Sequence, residues 1–226
     1  MTPPSPEGGE TVKLYNYWRS SSSWRVRIAL NLKGLSYEYV PVHLVKDGGE
    51  QHSEAYRSIN PTRTVPTLEL SEGGKLHRLG QSVAILEYLE ERHPSPALLP
   101  GDPFLRARCR MLAEMVNSGI QPLQNLSVLQ RIKGELKGDD KAWCAYWIDR
   151  GLAGFQAVAQ ETAGTYCVGD TVSFADIFLV PQLYSARRFG VDLGPYALLT
   201  RIEAACASLP AFQAAHADRQ PDAVPA

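Results

Sequence analysis

"VKLYNYWRSSSSWRVRIALNLKG", residues 12–34, decides the fold. Its opening is β-branched and aromatic and reads as a strand over 12–17. From Ser23 the pattern turns helical, over 23–33, and Gly34 closes it. Four hydroxyls, Ser20 to Ser23, stand where the strand hands over to the helix. One serine is enough to cap a helix by accepting from a free amide of its first turn, so four is an excess. No G-x-S-x-G elbow is present and no histidine lies nearby in sequence, which argues against a serine hydrolase. No glycine lets the backbone approach a phosphate. What remains is an anion site built from free helix amides, the positive end of the helix dipole and oriented hydroxyls, with Arg19 and Arg25 flanking it. No side chain in the loop is a low-pKa nucleophile, so the anion arrives with a ligand.

Outward from this stretch, "SYEYVPVHL" reads as a second strand near 37–43, followed by a short irregular helix around 50–58. "VPTLELSEGGKLHRL" reads as a hairpin, with strands at 67–70 and 75–79 turned by Gly73-Gly74. "QSVAILEYLEERHP" is an amphipathic helix from Ser82 to Arg92, stopped by Pro94. The order β-α-β-α-β-β-α predicts a parallel pair with a right-handed crossover plus an antiparallel hairpin, hence a mixed sheet. "PSPALLPGDP", 94–103, is a proline- and glycine-rich break. Beyond it only helical patterns appear, at 104–133, 139–162, 174–187 and 197–207, ending near Leu209-Pro210. The expected organisation is a disordered tail at 1–10, an α/β domain at 11–94, a linker at 95–102, an all-helical domain at 103–218 and a tail at 219–226.

Composition narrows the function classes. The chain has 226 residues, 44% hydrophobic and 21% charged, with a net charge of −1. No general field draws it to nucleic acid or an acidic membrane, so anion selectivity must be local. No run is long enough for a membrane helix, and "MTPPSPEGGE" lacks the basic and apolar segments of a secretory signal. Cys109, Cys144, Cys167 and Cys206 are widely spaced and read as small apolar fillers of a protein in the reducing cytosol. Five histidines form no H-x-x-x-H pair, and no metal site is expected.

Three further stretches carry information. In "INPTRTVPTLEL", 59–70, a cis Val65-Pro66 bond would leave the Val65 amide and carbonyl open to an extended peptide, whereas most X–Pro bonds are trans. In "GQSVAILEYLEE", 80–91, Ser82 is a good N-cap, and the same helix start can hold a carboxylate on free amides. In "SFAD", 173–176, Ser173 and Asp176 form a capping pair that reads as structural.

"SSSSWRVRIAL", "NPTRTVPTL", "QSVAILEYLEE", "GIQPLQNLSVL" and "YCVGDTVSFADIFLVPQ" together resemble the zeta class of the cytosolic glutathione transferases, whose members act as maleylacetoacetate isomerases of tyrosine and phenylalanine catabolism. The resemblance runs from about Lys13 to Pro221. It implies a thioredoxin-like α/β domain with a mixed four-stranded sheet, an all-α C-terminal domain, a cytoplasmic homodimer and glutathione as cofactor. It implies glutathione contacts at Ser20, Ser21, Ser22, Gln51, Val65, Gln81 and Ser82, and from the helical domain at Gln121, Asn125 and Ser127. On that resemblance Ser20 is expected to be the principal donor to the sulfur, with Ser21 and Ser22 in support. Arg188 matches the position that faces the acidic substrate, with Arg19 and Arg25 as further candidates for its carboxylates. One position departs from the class: Ser22 stands where the usual pattern is Ser-Ser-Cys.

The implied chemistry is reversible addition of a thiolate to a cis double bond, rotation about the resulting single bond, and elimination to the trans product. A thiol near pKa 8.5 is only a few per cent ionised at neutral pH, and lowering it by about two units requires roughly 2.7 kcal/mol. Two charge-assisted hydrogen bonds and a helix N-terminus are of that order. The same thiolate would also serve a transferase acting on α-haloacids. A non-catalytic module of the same fold is disfavoured, because such a module has no use for the full set of ligand-contact types.

Overall fold

The structure, a computed structural model, describes residues 11–72 and 74–224. The expected disordered tail at 1–10 lies outside the described residues. Contacts divide the chain into two compact units, one of residues 1–96 with 210–226 and the other of residues 97–209.

In the first unit, β1 (Thr11–Asn16) leads into α1 (Ser21–Leu32), then β2 (Glu38–Pro41), α2 (Glu54–Ile59), β3 (Thr67–Glu72), β4 (Lys75–Gly80) and α3 (Ser82–Arg92). The sheet order is β2-β1-β3-β4. β1 and β2 are parallel, while β1–β3 and β3–β4 are antiparallel, giving the mixed sheet that the element order predicts. Register places opposite charges across from one another: Lys13 faces Glu38 at 3.1 Å, and Glu69 faces Arg78 at 2.8 Å. α1 buries every residue from Ser23 to Leu30, two arginines included. Its last turn is tied to α3 by Lys33, whose Nζ meets Glu90 at 2.5 Å and also donates to His93 O and Pro96 O.

The C-terminal end differs from expectation. Instead of ending at Leu209-Pro210, the chain forms α9 (Pro210–Ala215), which packs on α1 within the first unit. The segment 219–226, expected to be a tail, is docked through polar groups up to Asp222. Gln220 Nε2 donates to Ala214 O and His216 O, and Asp222 accepts from Trp18 N–H and from the Tyr39 hydroxyl. A segment held by polar contacts carries no apolar periodicity to read.

The second unit contains α4 (Pro103–Asn117), α5 (Leu126–Gly134), α6 (Asp140–Ala159), α7 (Phe174–Arg188) and α8 (Ala197–Ala207). The single helix expected over 104–133 is two. Gly119 and Pro122 interrupt it with a short 3₁₀ turn at Gln121–Gln124, and Asn125 caps the second half by accepting from Ser127 N–H. α7 is the core element, buried from Phe174 through Leu183. Gly151 of α6 is forced by contact, because a Cβ there would lie 2.3 Å from Ile120. The expected linker is partly core: Leu98 and Leu99 are buried, and Leu98 O accepts from Phe174 N–H at 3.0 Å. All four cysteines are buried and unpaired, as fillers should be.

Candidate functional site

Ser20 is the N-cap of α1, and its Oγ accepts from Ser23 N–H at 3.2 Å. Trp24 N–H bonds Ser20 O, so the amides of Ser21 and Ser22 are the ones the first turn leaves over. The hydroxyl proton of Ser20 is not spent in capping, which uses the oxygen as acceptor, so it stays available as a donor. Ser21 and Ser22 are half-buried, and among the described residues neither hydroxyl has a hydrogen-bond partner. One serine therefore caps and two add donors, all three beside the positive end of a helix of twelve residues.

The start of α3 is built differently. Ser82 is not its N-cap, contrary to the sequence reading: Gln81 occupies that position at φ 66 and ψ 118, and its side chain makes no capping bond. A positive φ at a non-glycine residue is a strained choice that sequence propensity does not anticipate. It leaves the amides at the start of α3 without a side-chain acceptor. Ser82 is 3% exposed, and its Oγ accepts from Arg25 Nη1 at 3.1 Å. Arginine carries no acceptor, so the Ser82 hydroxyl proton must be donated elsewhere.

Arg25 is thereby corrected. It was expected to face a substrate carboxylate, but it is fully buried and joins α1 to the start of α3. The reason is its place in α1, where every residue from 23 to 30 is buried and no solvent face exists for its side chain. Arg19 stays half-exposed, with its guanidinium 5.2 Å from the Trp18 ring centre.

Val65 precedes Pro66 across a cis bond, and among the described residues its amide and carbonyl have no hydrogen-bond partner. The segment around it is held by Asn60 and Tyr56, both of which donate to Thr64 O and contact Thr67 Oγ1. Gln51 is 7% exposed, with Nε2 donating to Leu44 O and Oε1 buried without a partner. Its side chain lies against Gly49, where a Cβ would sit 2.4 Å from Nε2 and where φ is +101. A buried acceptor with no donor is costly unless a ligand N–H fills it.

In the second unit, Gln121 opens the 3₁₀ turn and Asn125 caps α5. Asn125 Oδ1 accepts from both the N–H and the hydroxyl of Ser127, which leaves Nδ2 as the amide's outward donor. Arg188 ends α7, exposed, with its guanidinium 4.8 Å from the Phe189 ring centre. The structure thus brings Ser20, Ser21, Ser22 and Ser82 onto helix starts of one unit, and sets Gln121, Asn125, Ser127 and Arg188 on helix ends and turns of the other. Sequence reasoning missed Asn60 and Tyr56, which hold the Val65 segment, and Gly49 under Gln51. The available signal was the Gly48-Gly49 pair, a residue type that tolerates the positive φ both adopt.

Residues 14–97 match the family model described as glutathione S-transferase, N-terminal domain. The chain is 51% identical to the maleylacetoacetate isomerase of Rattus norvegicus over 216 residues, covering 96% of each chain. Among solved structures it is similar to the maleylacetoacetate isomerase of Anaeromyxobacter dehalogenans, with a TM-score of 0.88, 54% identity, and coverage of 95% of this chain and 99% of that one. One crystal of that protein holds glutathione in the active site, and another holds dicarboxyethyl glutathione and citrate. A bacterial maleylpyruvate isomerase described as a zeta-class glutathione transferase gives a TM-score of 0.87 at 45% identity, with 94% and 100% coverage. On this evidence of fold and relatedness, the chain belongs to the zeta class of the glutathione transferases, together with the maleylacetoacetate isomerases.

Proposed function

We propose that the chain is a glutathione-dependent maleylacetoacetate isomerase that converts the cis substrate to fumarylacetoacetate. The observation that carries this reading is the pair of open helix starts in the first unit, Ser20–Ser22 on α1 and Gln81–Ser82 on α3, joined through the core by Arg25. One set of donors suits a thiolate, and the other suits a carboxylate of the same tripeptide. The buried, partnerless Oε1 of Gln51 is an acceptor for one of its amides, and Val65 offers a backbone donor and acceptor. These residues fit glutathione. When bound, it supplies a thiolate able to add reversibly to the substrate's conjugated cis double bond.

The chain's residues do the rest. Ser20 donates its hydroxyl proton to the sulfur and, with the amides of Ser21 and Ser22, lowers the thiol's pKa. Ser22, in place of cysteine, donates without becoming a nucleophile, since its hydroxyl stays protonated with no base in the loop. By the resemblance to the zeta class, Gln121, Asn125 and Ser127 are further candidates for glutathione contact. Arg188 is the first candidate to hold a substrate carboxylate by forked hydrogen bonds and to stabilise negative charge that develops beside it, and Arg19 is a second candidate.

We read the enzyme as a cytoplasmic homodimer. Four buried thiols suit a reducing compartment, and among the described residues no helix is long and apolar enough to cross a membrane. Phe104 and Met111, exposed on α4, offer apolar surface to a second copy. Light scattering tests the dimer. The decisive assay follows isomerisation of maleylacetoacetate with and without glutathione, with maleylpyruvate and a dihaloacid alongside. Turnover of maleylacetoacetate only when glutathione is present is expected. A chain that conjugates the haloacid but leaves both maleyl substrates unchanged would be a detoxifying transferase instead.

A further inference from the structure

The short loop Tyr17–Ser20 carries Ser20 into α1, and its backbone is held by side chains the reaction itself does not touch. Ser20 N–H donates to Tyr17 O at 3.0 Å. The same oxygen accepts from Arg27 Nη1 at 3.3 Å, and Arg27 Nη2 donates to the next carbonyl, Trp18 O, at 2.8 Å. Trp18 N–H donates to Asp222 Oδ2 at 3.1 Å. Both polar backbone groups of Trp18 therefore end on side chains, one from α1 and one from the C-terminal segment. The second Asp222 oxygen accepts from the Tyr39 hydroxyl. Arg27 also reaches Asn16 Oδ1 at 2.9 Å and Ala215 O at 3.2 Å, which ties the loop to β1 and α9. Tyr17 and Trp18 are 5% and 6% exposed, so their peptide groups must find partners inside the protein.

We propose that Asp222 and Arg27 are positioning residues for the thiol-binding loop, and that the C-terminal segment is a clasp that sets where the Ser20 hydroxyl sits. The inference rests on the reading that Ser20 donates to the sulfur of glutathione. A hydrogen bond weakens steeply outside its narrow distance and angle range, so a Trp18 peptide released on one side alters how well Ser20 stabilises the thiolate. Asp222 meets the loop backbone at Trp18 N–H, is itself held by the Tyr39 hydroxyl, and is half-buried rather than part of the core. Its removal is therefore a more selective perturbation than loss of Arg27, which is fully buried and makes four hydrogen bonds.

The test uses the wild-type chain and the Asp222→Ala, Asp222→Asn and Tyr39→Phe variants, each saturated with glutathione and titrated with pH while the ultraviolet absorption of the thiolate is followed. Affinities for glutathione and S-methylglutathione and the unfolding temperature are measured in parallel. Asp222→Ala should make the bound thiol about ten-fold less acidic, one pKa unit, while affinity for S-methylglutathione, which has no ionisable sulfur, changes less than about two-fold. Asp222→Asn keeps an oxygen to accept from Trp18 N–H and should return within about two-fold of wild type. A folded Asp222→Ala protein with wild-type thiol acidity overturns the proposal, as does an equal loss of affinity for both ligands. Should Asp222→Ala not fold, Tyr39→Phe decides, with a bound thiol about three-fold less acidic in support and wild-type acidity against. If the wild type itself shows no thiolate, the role of Ser20 fails and the clasp with it. If the wild type shows thiolate and no variant shifts it, the clasp alone fails.

Discussion

At the start of α7, Ser173 is 2% exposed and Asp176 fully buried, whereas at the start of α1, Ser20, Ser21 and Ser22 are all half-buried. The α7 start is saturated. Asp176 Oδ2 accepts from the N–H and the hydroxyl of Ser173, and Oδ1 accepts from Cys167 N–H at 2.8 Å. The α1 start is under-used, since Ser20 closes one amide and the next two hydroxyls have no partner among the described residues. Both begin with serine, yet one consumes every donor it offers and the other leaves donors over. On the function proposed above, the surplus at the start of α1 is for a ligand, while the exhausted capacity at the start of α7 serves the fold.

The most severe way to test that contrast is Asp176→Ala. It strands two N–H groups and a hydroxyl in the core, at a cost of about 3–5 kcal/mol, a large share of the stability of any domain. Denaturant unfolding should show that loss, and a change below about 1 kcal/mol would mean the start of α7 is not the structural one. The acid dependence carries a second signature. Burial raises the Asp176 carboxyl, against the opposing pull of its hydrogen bonds from Cys167 and Ser173. A raised carboxyl contributes stability that is present below the ordinary carboxylate range and declines as pH rises through the raised value. Asp176→Asn should flatten that decline.

Ser20 gives the next largest effect, and here activity falls rather than stability. Because Ser20 is itself the cap, Ser20→Ala loses two things at once: about 1 kcal/mol of helix stability and a donor to sulfur. Ser20→Gly separates them, since glycine caps nearly as well but has no hydroxyl. We expect Ser20→Gly to unfold within a few tenths of a kcal/mol of wild type and to lose about 100-fold in kcat/KM, roughly 2.7 kcal/mol of transition-state stabilisation. Near wild-type turnover would move the role to Ser21 or Ser22.

The same contrast explains what could be read from sequence. The strand–helix alternation, the hairpin, α3 and the capping pair at Ser173 and Asp176 follow local rules, and they were legible. The start of α3 was half legible: a helix beginning at Ser82 was read, but Ser82 was wrong as its cap, because a positive φ at Gln81 breaks the propensity rule that favours serine there. Arg25 and Arg27 were hidden for a different reason. In an unbroken apolar helix a long cation gives no clue whether it leaves the core or pairs within it, and both pair within it. The docked C-terminal segment was invisible because its contacts are polar and those of Asp222, to Trp18 and Tyr39, are distant in sequence.

Arg188 extends the contrast to the far end of a helix. α7 begins saturated and ends with an exposed arginine, which the proposed function assigns to substrate. Arg188→Ala should raise KM for the dicarboxylate substrate about ten-fold and leave glutathione affinity within two-fold, since a forked carboxylate contact holds substrate rather than activating sulfur. Steady-state kinetics with each ligand varied in turn decides, and unchanged constants for both would remove Arg188 from the site.

The smallest effect should come from Ser22→Cys, and it sharpens the contrast most finely. If the surplus hydroxyls at the start of α1 act only as donors, replacing one by a thiol should alter isomerase turnover by less than about three-fold, under 1 kcal/mol. What the change adds is reactivity, because a cysteine at a helix N-terminus is biased toward thiolate. The four native cysteines offer no such group. Burial holds all four thiols up, Cys144 to about 11, so almost none is ionised at neutral pH. Incubation with a dihaloacid followed by peptide mass spectrometry should therefore leave the folded native chain unmodified, the peptide of Ser20 to Ser23 included. The variant should be labelled at position 22 alone. Labelling of native Cys144 at a comparable rate would show that the second unit opens far more readily than its packing implies. A gain in turnover above about 100-fold in the variant, roughly 2.7 kcal/mol, would show that the class cysteine does chemistry which Ser22 cannot.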